Sequence, residues 1–314
     1  MAYNNNNATV LLVGSTGFVG GRILNELIQA KHNNKIGKVI AGVNHATHLA
    51  NVDQTIQLDY HDDENLNQQL KGVDVVISAI SITPDSLTNV DKLLVCIIST
   101  TFIANNSQTA MAFNKVKLYI PSEYGVDYNK TQYKSHPVFV AKSRHIEKAK
   151  QFDFKTVSIY SGLIMEFTFG KLLDMKELEW KLVSSKQKVA LTSLNDLSSV
   201  IAQLAATPLE DVNKLKSELR IFSDCRSIHK YARVFEDQIH QPIVLIDVNR
   251  AIYEKTFALL EKGEYTGDQF EAFKATVHLI ASEGSVDFTA DNDNGMFEID
   301  WTTVDKYAAS ICHS

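Results

Sequence analysis

The sequence predicts an α/β protein in which helices cover a doubly wound, mostly parallel sheet. Two observations predict this class. Short apolar runs alternate with segments of helical periodicity along the first half of the chain, which is typical of repeated βα units. The first of these runs is followed by a glycine-rich turn that leads directly into a helical pattern. We expect the sheet domain over residues 8–160 and a smaller α/β lobe over residues 161–314, with segments of the lobe returning to the sheet.

The first predicted strand and its turn carry the strongest functional signal. Residues 8–13 are rich in Val and Leu, which suits a strand buried on both faces, and apolar residues at helical spacing occupy 19–28. Glycines at 14, 17 and 20 would allow a tight turn, close approach to a pyrophosphate and helix–strand packing, respectively. An ordinary tight turn is the alternative, but the strand–turn–helix context favours a dinucleotide-binding Rossmann domain. The predicted phosphate-binding residues are Gly14, Ser15, Thr16, Gly17, Phe18, Val19 and Gly20.

The ends of the next two predicted strands bear on the choice of dinucleotide. The second strand, 38–43, ends in Asn44 and His45, and the third, 55–58, ends at Asp59. An acid after the second strand would bind the ribose hydroxyl of NAD, whereas a nearby base accommodates the extra phosphate of NADP. No carboxylate follows the second strand here, so the sequence favours NADP and leaves NAD possible. His45 and His48 form an H-x-x-H pair without further ligands, so we predict no metal site.

The fourth and fifth predicted strands contribute the remaining cofactor contacts. The fourth, 72–80, ends in Ser78, Ala79 and Ile80, and the small side chains of the first two leave room for a ribose and nicotinamide. Simple strand packing is the alternative explanation for these small residues. The fifth strand, 116–120, is followed by Pro121 and Ser122. Helices are predicted to begin at 61–64 and to span 85–104.

Lys142 is the most informative single residue. A helix is predicted from Pro137 to about residue 151, and its apolar stripe contains Phe139, Ile146 and Ala149. Lys142 lies three residues after Phe139 and four before Ile146, on the same stripe. A lysine on an inward stripe must reach water or find a partner, because burial penalises its charge. A lysine that extends from the rim of the core to solvent is the alternative.

The second half of the chain is predicted more coarsely. We expect a sixth strand over 154–159, a strand and then a helix over 191–206 with Asp196 as its cap, and helices over 231–236 and 250–260. The acidic segment 287–300 is predicted to be a loop. Phe167, Phe169 and Trp180 would line an apolar pocket or pack in the core.

Charge, cysteine spacing and apolar stretches disfavour several classes of protein. The chain has 314 residues and a net charge of -6 without a long basic run, which disfavours nucleic acid as a partner. Cys96, Cys225 and Cys312 are too far apart for a disulfide framework, which fits a cytoplasmic protein. The apolar stretch 93–104 is too short to span a bilayer, and the polar segment 1–7 lacks the features of a signal peptide. We expect a small-molecule substrate and no membrane, and the sequence leaves a monomer or a homodimer open.

These features together resemble the NmrA-like family and, within it, the isoflavone reductase-like branch of atypical short-chain dehydrogenases/reductases. The matching segments are the glycine turn, 70–78, 121–125, Lys142 on its helix and 191–197. The resemblance implies that NADP(H) binds at the first turn, with its nicotinamide near Ser78, Ala79, Pro121 and Ser122. It also implies that Lys142 acts beside the nicotinamide and the reacting oxygen, on phenylpropanoid-like or other conjugated substrates.

Two positions depart from the family pattern and leave two functions open. Asn44 stands where the reductases carry an arginine, and Val138 stands four residues before Lys142, where ordinary short-chain enzymes carry a tyrosine. We expect an NAD(P)H-dependent reductase of a small conjugated or aromatic carbonyl-type substrate, with Lys142 stabilising charge on the substrate oxygen. The alternative is a non-catalytic NAD(P)-sensing regulator that acts through a protein partner.

Overall fold

The structure is a computed structural model that describes residues 7–45, 47–60, 62, 66, 68–81, 86, 88–89, 91–92, 116–173 and 178–312. Several predicted features lie outside these residues. They are most of the segment 1–7, most of the helix start at 61–64, most of the helix predicted over 85–104, and Cys96.

Six parallel strands form the main sheet and confirm the predicted fold class. They are β1 (Thr9–Val13), β2 (Lys38–Val43), β3 (Gln54–Gln57), β4 (Val75–Ser78), β5 (Leu118–Ile120) and β6 (Lys155–Thr156). Their order is β3-β2-β1-β4-β5-β6, and every neighbouring pair is parallel. The order reverses between β1 and β4, and in sheets of this kind ligands bind at the carboxyl ends beside such a reversal.

The chain divides into two compact units, and the first contains the whole of this sheet. It comprises residues 1–123, 141–158 and 198–218. Helix α1 (Gly20–His32) lies entirely within it. Helices α2 (Pro137–Ala149) and α3 (Leu194–Ala205) each begin in the second unit and enter the first, at Ala141 and Ser198. Branched and aromatic side chains of the strands fill the core of the first unit, including Leu11, Val13, Val76 and Tyr119.

The second unit comprises residues 124–140, 159–197 and 219–314 and has its own core. Strands β8 (Leu163–Ile164), β10 (Lys188–Thr192) and β12 (Asp224–Ser227) form one small sheet, and β9 (Glu179–Leu182) pairs with β13 (Val244–Asp247). Its helices are α4 (Ile228–Ile239), α5 (Arg250–Glu261), α6 (Gln269–Ser282) and α7 (Val304–Cys312). Phe169 and Trp180 are fully buried in this core, whereas Phe167 is partly exposed.

The strand predicted over 154–159 is two strands, β6 and β7 (Ser158–Tyr160), so the single-strand prediction was wrong. The reason is a change of partner. The N–H of Val157 donates to the carbonyl oxygen of Tyr119 on β5, whereas the N–H of Ser158 donates to the carbonyl oxygen of Ser217. The chain therefore leaves the parallel ladder after Val157. The remaining strand, β11, spans Glu218–Arg220.

The cap predicted at Asp196 is also wrong, because helix α3 begins two residues before it, at Leu194. Ser193 is the residue that caps the helix, and its hydroxyl accepts a 3.1 Å hydrogen bond from the N–H of Asp196. The carboxylate of Asp196 instead accepts hydrogen bonds from the Ser223 hydroxyl and from the N–H of Thr302. Asp196 thus joins three segments of the second unit.

Three further observations concern the described residues. Cys225 and Cys312 are free thiols. Within these ranges no three His, Cys, Asp or Glu side chains lie close enough together to hold a metal ion. No helix in the described part of the chain has the length and apolar character needed to cross a membrane.

Candidate functional site at the carboxyl edge of the parallel sheet

The glycine turn after β1 is closely packed at two of its three glycines. Gly14 has φ of +82°, a conformation that L side chains rarely adopt, and a Cβ there would lie 3.0 Å from the carbonyl group of Ala79. A Cβ on Gly20 would lie 2.0 Å from the carbonyl oxygen of Gly14. Gly17 is exposed, and its Cβ would approach only the Gly14 oxygen, at 3.3 Å. The turn therefore requires glycine at positions 14 and 20. At position 17 glycine keeps the exposed side of the turn free of a side chain.

Hydrogen bonds fix the turn against β2. The N–H groups of Gly14 and Ser15 and the Ser15 hydroxyl all donate to the carbonyl oxygen of Gly42, at 3.2, 3.3 and 3.0 Å. The N–H of Gly17 donates to the carbonyl oxygen of Gly14 at 3.0 Å. Ser15 is thus a structural part of the turn, and its hydroxyl is committed to the neighbouring strand.

Other backbone N–H groups of the same turn are left over. Among the described residues, the N–H groups of Thr16, Phe18 and Val19 form no hydrogen bond. Helix α1 begins directly after them and has no acidic residue in its first turn, so its positive end is not neutralised there. Unpaired N–H groups at a helix N-terminus fit the phosphates of a dinucleotide.

The ends of β2 and β3 lie beside the turn in the same sheet. Asn44 and His45 are exposed after β2, and Asp59 is exposed two residues after β3. The Gln57 side chain donates to the Asn44 carbonyl oxygen at 3.3 Å, which links the two strand ends. The two side chains that directly follow β2 thus carry no negative charge and are accessible.

The ends of β4 and β5 complete the edge on the other side of β1. Ala79 and Ile80 are partly buried, and the Ala79 backbone packs against Gly14. Ser78 is fully buried at the end of β4. Pro121 is buried and Ser122 partly buried directly after β5. The structure therefore brings these predicted residues to one edge of the sheet.

Lys142 reaches this edge from helix α2. Its Nζ atom donates a 2.8 Å hydrogen bond to the carbonyl oxygen of Ser122, and the side chain is partly buried. Among the described residues that oxygen is the single hydrogen-bond partner of the amine. An ammonium has three N–H donors, so two remain for a ligand or for water. Lys142 is thus held at the end of β5 and keeps donors available.

A buried group that the sequence did not reveal lies one turn further along α2. His145 is fully buried; its Nε2 atom lies 2.8 Å from the Tyr119 hydroxyl, and its Nδ1 atom lies 3.0 Å from a carboxylate oxygen of Asp91. Lys148 donates to the other oxygen of Asp91 at 2.9 Å. The spacing of three residues from Lys142 was the available signal, because it places His145 on the same face of the helix. The partners of His145 are distant in sequence and could not be found from the pattern.

Two cavities lie away from these residues. The one in the first unit, about 530 Å³, is lined by residues of α1 and α3 such as Glu26, Gln29, Ser199 and Gln203. The one in the second unit, about 290 Å³, is lined by charged and aromatic side chains that include Lys171, Lys274, Tyr253 and His278. Neither includes a residue of the glycine turn or Lys142.

Comparison with known proteins agrees with this fold. The model of the NmrA-like family matches residues 6–308. The NADPH complex of leucoanthocyanidin reductase from Vitis vinifera is 17% identical with a TM-score of 0.74 over 98% of this chain and 100% of that chain. An isoflavone reductase is 16% identical with a TM-score of 0.70, over 97% of this chain and 99% of that chain. A triphenylmethane reductase from Citrobacter sp., complexed with NADP(H), is 12% identical with a TM-score of 0.69 over the same shares.

No curated protein sequence matches the chain significantly. At these low identities the solved structures establish the shared fold, whereas the family model covers nearly the whole chain. The predicted family resemblance is therefore confirmed. The chain belongs to the NmrA-like family.

Proposed function

We propose that this protein is an NADPH-dependent reductase of a small conjugated or aromatic carbonyl-type substrate, of the isoflavone reductase-like, atypical short-chain kind. The observation that carries the proposal is the position of the Lys142 amine. It is bound to Ser122 at the end of β5, in the same sheet edge as the glycine turn. A cationic donor at the nucleotide edge of such a sheet suits reduction of a polarised oxygen.

The residues of the first unit fit a bound NADPH. The free N–H groups of Thr16, Phe18 and Val19 would bind the pyrophosphate, and Gly17 would let it approach the backbone. Asn44 and His45 would face the adenosine ribose and its phosphate, and Asp59 lies at the end of the next strand. Ala79, Ile80, Pro121 and Ser122 would border the nicotinamide. When bound, NADPH supplies the hydride.

The protein's chemical contribution centres on Lys142. Its two remaining N–H donors would bind the oxygen atom of the substrate, and the positive charge would stabilise the negative charge that develops there. The same ammonium would then donate a proton to that oxygen, and solvent would restore it, because the side chain is only partly buried. The hydrogen bond to Ser122 keeps the amine in place throughout.

The absence of a carboxylate after β2 supports NADP over NAD. Asn44 and His45 are both exposed, and neither carries a negative charge that would repel a phosphate. The structures of leucoanthocyanidin reductase and triphenylmethane reductase that share this fold were determined with NADPH or NADP(H). We expect tighter binding of NADPH than of NADH when both are titrated into the purified protein.

A substrate panel tests the proposal and separates it from the regulatory alternative. NADPH oxidation is followed by absorbance over conjugated aldehydes, ketones and quinones, and NADPH affinity is measured in parallel. Oxidation that depends on one class of compound, and that stops in Lys142→Met, supports the reductase. Tight NADPH binding with hydride transfer to no compound would contradict it and favour an NAD(P)-sensing regulator.

A further inference from the structure

Two hydrogen bonds join helix α2 to β5 and to the residues directly after it. The Tyr119 hydroxyl lies 2.8 Å from His145 Nε2, and the Ser122 carbonyl oxygen lies 2.8 Å from Lys142 Nζ. Tyr119 lies in β5 and Ser122 lies two residues after the strand, so the two are three residues apart. His145 and Lys142 are also three residues apart, in the opposite order. The first bond lies inside the buried core of the first unit, and the second lies at its partly exposed edge. The two contacts thus lie one helical turn apart on the same face of α2.

The protonation pattern of the buried contact is determined by Asp91. A carboxylate can only accept, so His145 donates from Nδ1 to Asp91 and keeps Nε2 as an acceptor for the Tyr119 hydroxyl. Both ring nitrogens are then used, which fixes the ring in one orientation. Lys148 donates to the second oxygen of Asp91 and holds the carboxylate in turn.

Burial favours the neutral form of His145. Burial lowers the pKa of His145 below its ordinary value, against the raising effect of Asp91, and the charges of Lys148 and Lys142 lower it further. Burial raises the pKa of Tyr119 far above its ordinary value, and Glu123 and Asp91 add to the rise. A neutral imidazole beside Lys142 avoids a like charge one helical turn from the ammonium.

We propose that Tyr119, His145 and Asp91 act as positioning residues that fix helix α2 on β5 and thereby hold the Lys142 amine at the end of the strand. This inference rests on the proposed role of Lys142 in the reaction. A direct catalytic role for Tyr119 does not fit, because its side chain is fully buried and its hydroxyl is engaged with His145. Tyr119 therefore does not take over the catalytic role of the tyrosine that ordinary short-chain enzymes carry four residues before the lysine. Its effect on Lys142 is transmitted through His145.

The test removes the Tyr119 hydroxyl and follows the accessibility of Lys142. Tyr119→Phe keeps the ring and deletes the hydroxyl that hydrogen-bonds His145. Tyr60→Phe is the matched control, because the Tyr60 hydroxyl is buried in the same core and has no hydrogen-bond partner among the described residues. Each protein is labelled briefly with acetic anhydride. Mass spectrometry then gives the labelling rate of Lys142 relative to Lys150, which is exposed.

The expected result is a rise of roughly fivefold in the relative labelling of Lys142 in Tyr119→Phe, the factor that corresponds to loss of one such hydrogen bond. Tyr60→Phe should match the wild type, and NADPH affinity should persist in both. Unchanged Lys142 labelling in a folded Tyr119→Phe protein would overturn the proposal. If Tyr119→Phe does not fold, Asp91→Asn gives the same test, because it weakens the hydrogen bonds that His145 and Lys148 donate to this side chain.

Activity measurements distinguish the positioning role of Tyr119 from the proposed reductase function. With a substrate in hand, Tyr119→Phe should lower kcat while leaving KM for NADPH unchanged, and Tyr60→Phe should lower neither. Increased labelling of Lys142 in a protein that reduces no substrate would support the positioning role and count against the reductase. Reduction by wild type and Tyr119→Phe at equal rates would count against the positioning role alone.

Discussion

A Cβ atom on Gly20 would lie 2.0 Å from the carbonyl oxygen of Gly14, so the start of helix α1 and the end of β1 meet without a side chain between them. That contact shapes the turn whose N–H groups are proposed to bind phosphate. The next glycine offers a direct comparison. A Cβ on Gly21 would find its nearest neighbour at 3.8 Å, which is ordinary van der Waals contact.

Gly20→Ala should therefore damage the nucleotide site, whereas Gly21→Ala should not. The first substitution forces the turn away from the helix and should weaken NADPH binding by about tenfold or more, with a loss of about 1–3 kcal/mol in unfolding free energy. The second adds a better helix former and should raise stability by up to about 1 kcal/mol. Fluorescence titration with NADPH and denaturant unfolding measure both effects. Equal NADPH affinity in the two variants would contradict the proposed phosphate site.

Asn44→Asp should shift cofactor preference from NADPH toward NADH. The new carboxylate at the exposed end of β2 would repel the ribose phosphate of NADPH and would bind the ribose hydroxyl of NADH. We expect NADPH affinity to fall by about tenfold at low salt, with a smaller effect at high salt. Asn44→Ala controls for loss of the amide without added charge. A ratio of the two affinities that matches the wild type would show that Asn44 does not face the ribose.

Stability should fall as the pH decreases below about 6.5, because two buried histidines of the second unit must gain a proton on unfolding. Burial lowers the pKa of His136 to about 4 and that of His278 to about 4, with Lys274 adding to the effect on His278. The unfolded chain binds these protons at higher pH than the folded one. Each histidine should therefore cost about 2 kcal/mol between pH 7 and pH 5.

His136→Asn isolates one of these contributions. His136 precedes α2, and its Nδ1 atom accepts a 3.2 Å hydrogen bond from the N–H of Val138, a role that an asparagine oxygen can take over. The variant should remain folded and lose part of the pH dependence. Urea unfolding at about pH 7 and pH 5 measures the difference. The same decrease in the variant as in the wild type would show that His136 is not responsible.

The sequence was sufficient for the elements whose signal is local. Strand β2 has the predicted bounds, and α2 begins at the predicted Pro137, because an apolar run and a proline at the first helical position act within a few residues. Strand β4 begins at Val75, three residues after the predicted start at 72. Just before the strand, the Asp74 side chain accepts a hydrogen bond from the N–H of Thr9. That contact joins residues 65 positions apart and leaves no local pattern.

The candidate site shows the same limit. Lys142 was predicted from its place on an apolar stripe, and the structure holds its amine at the sheet edge. His145 lies on that face as well, but its importance comes from Tyr119 and Asp91, which are 26 and 54 residues away. Periodicity identifies which face of a helix is buried. It does not identify the partner that a buried polar side chain finds there.

Lys142→Met tests whether the lysine takes part in the reaction, with Arg144→Ala as the control because Arg144 is exposed on the same helix. The measurements are kcat for the substrate found by the panel and Kd for NADPH. We expect Lys142→Met to lower kcat by about a hundredfold or more while Kd changes by no more than about twofold, and Arg144→Ala to alter neither. A Lys142→Met protein that binds NADPH and turns over at the wild-type rate would contradict this expectation.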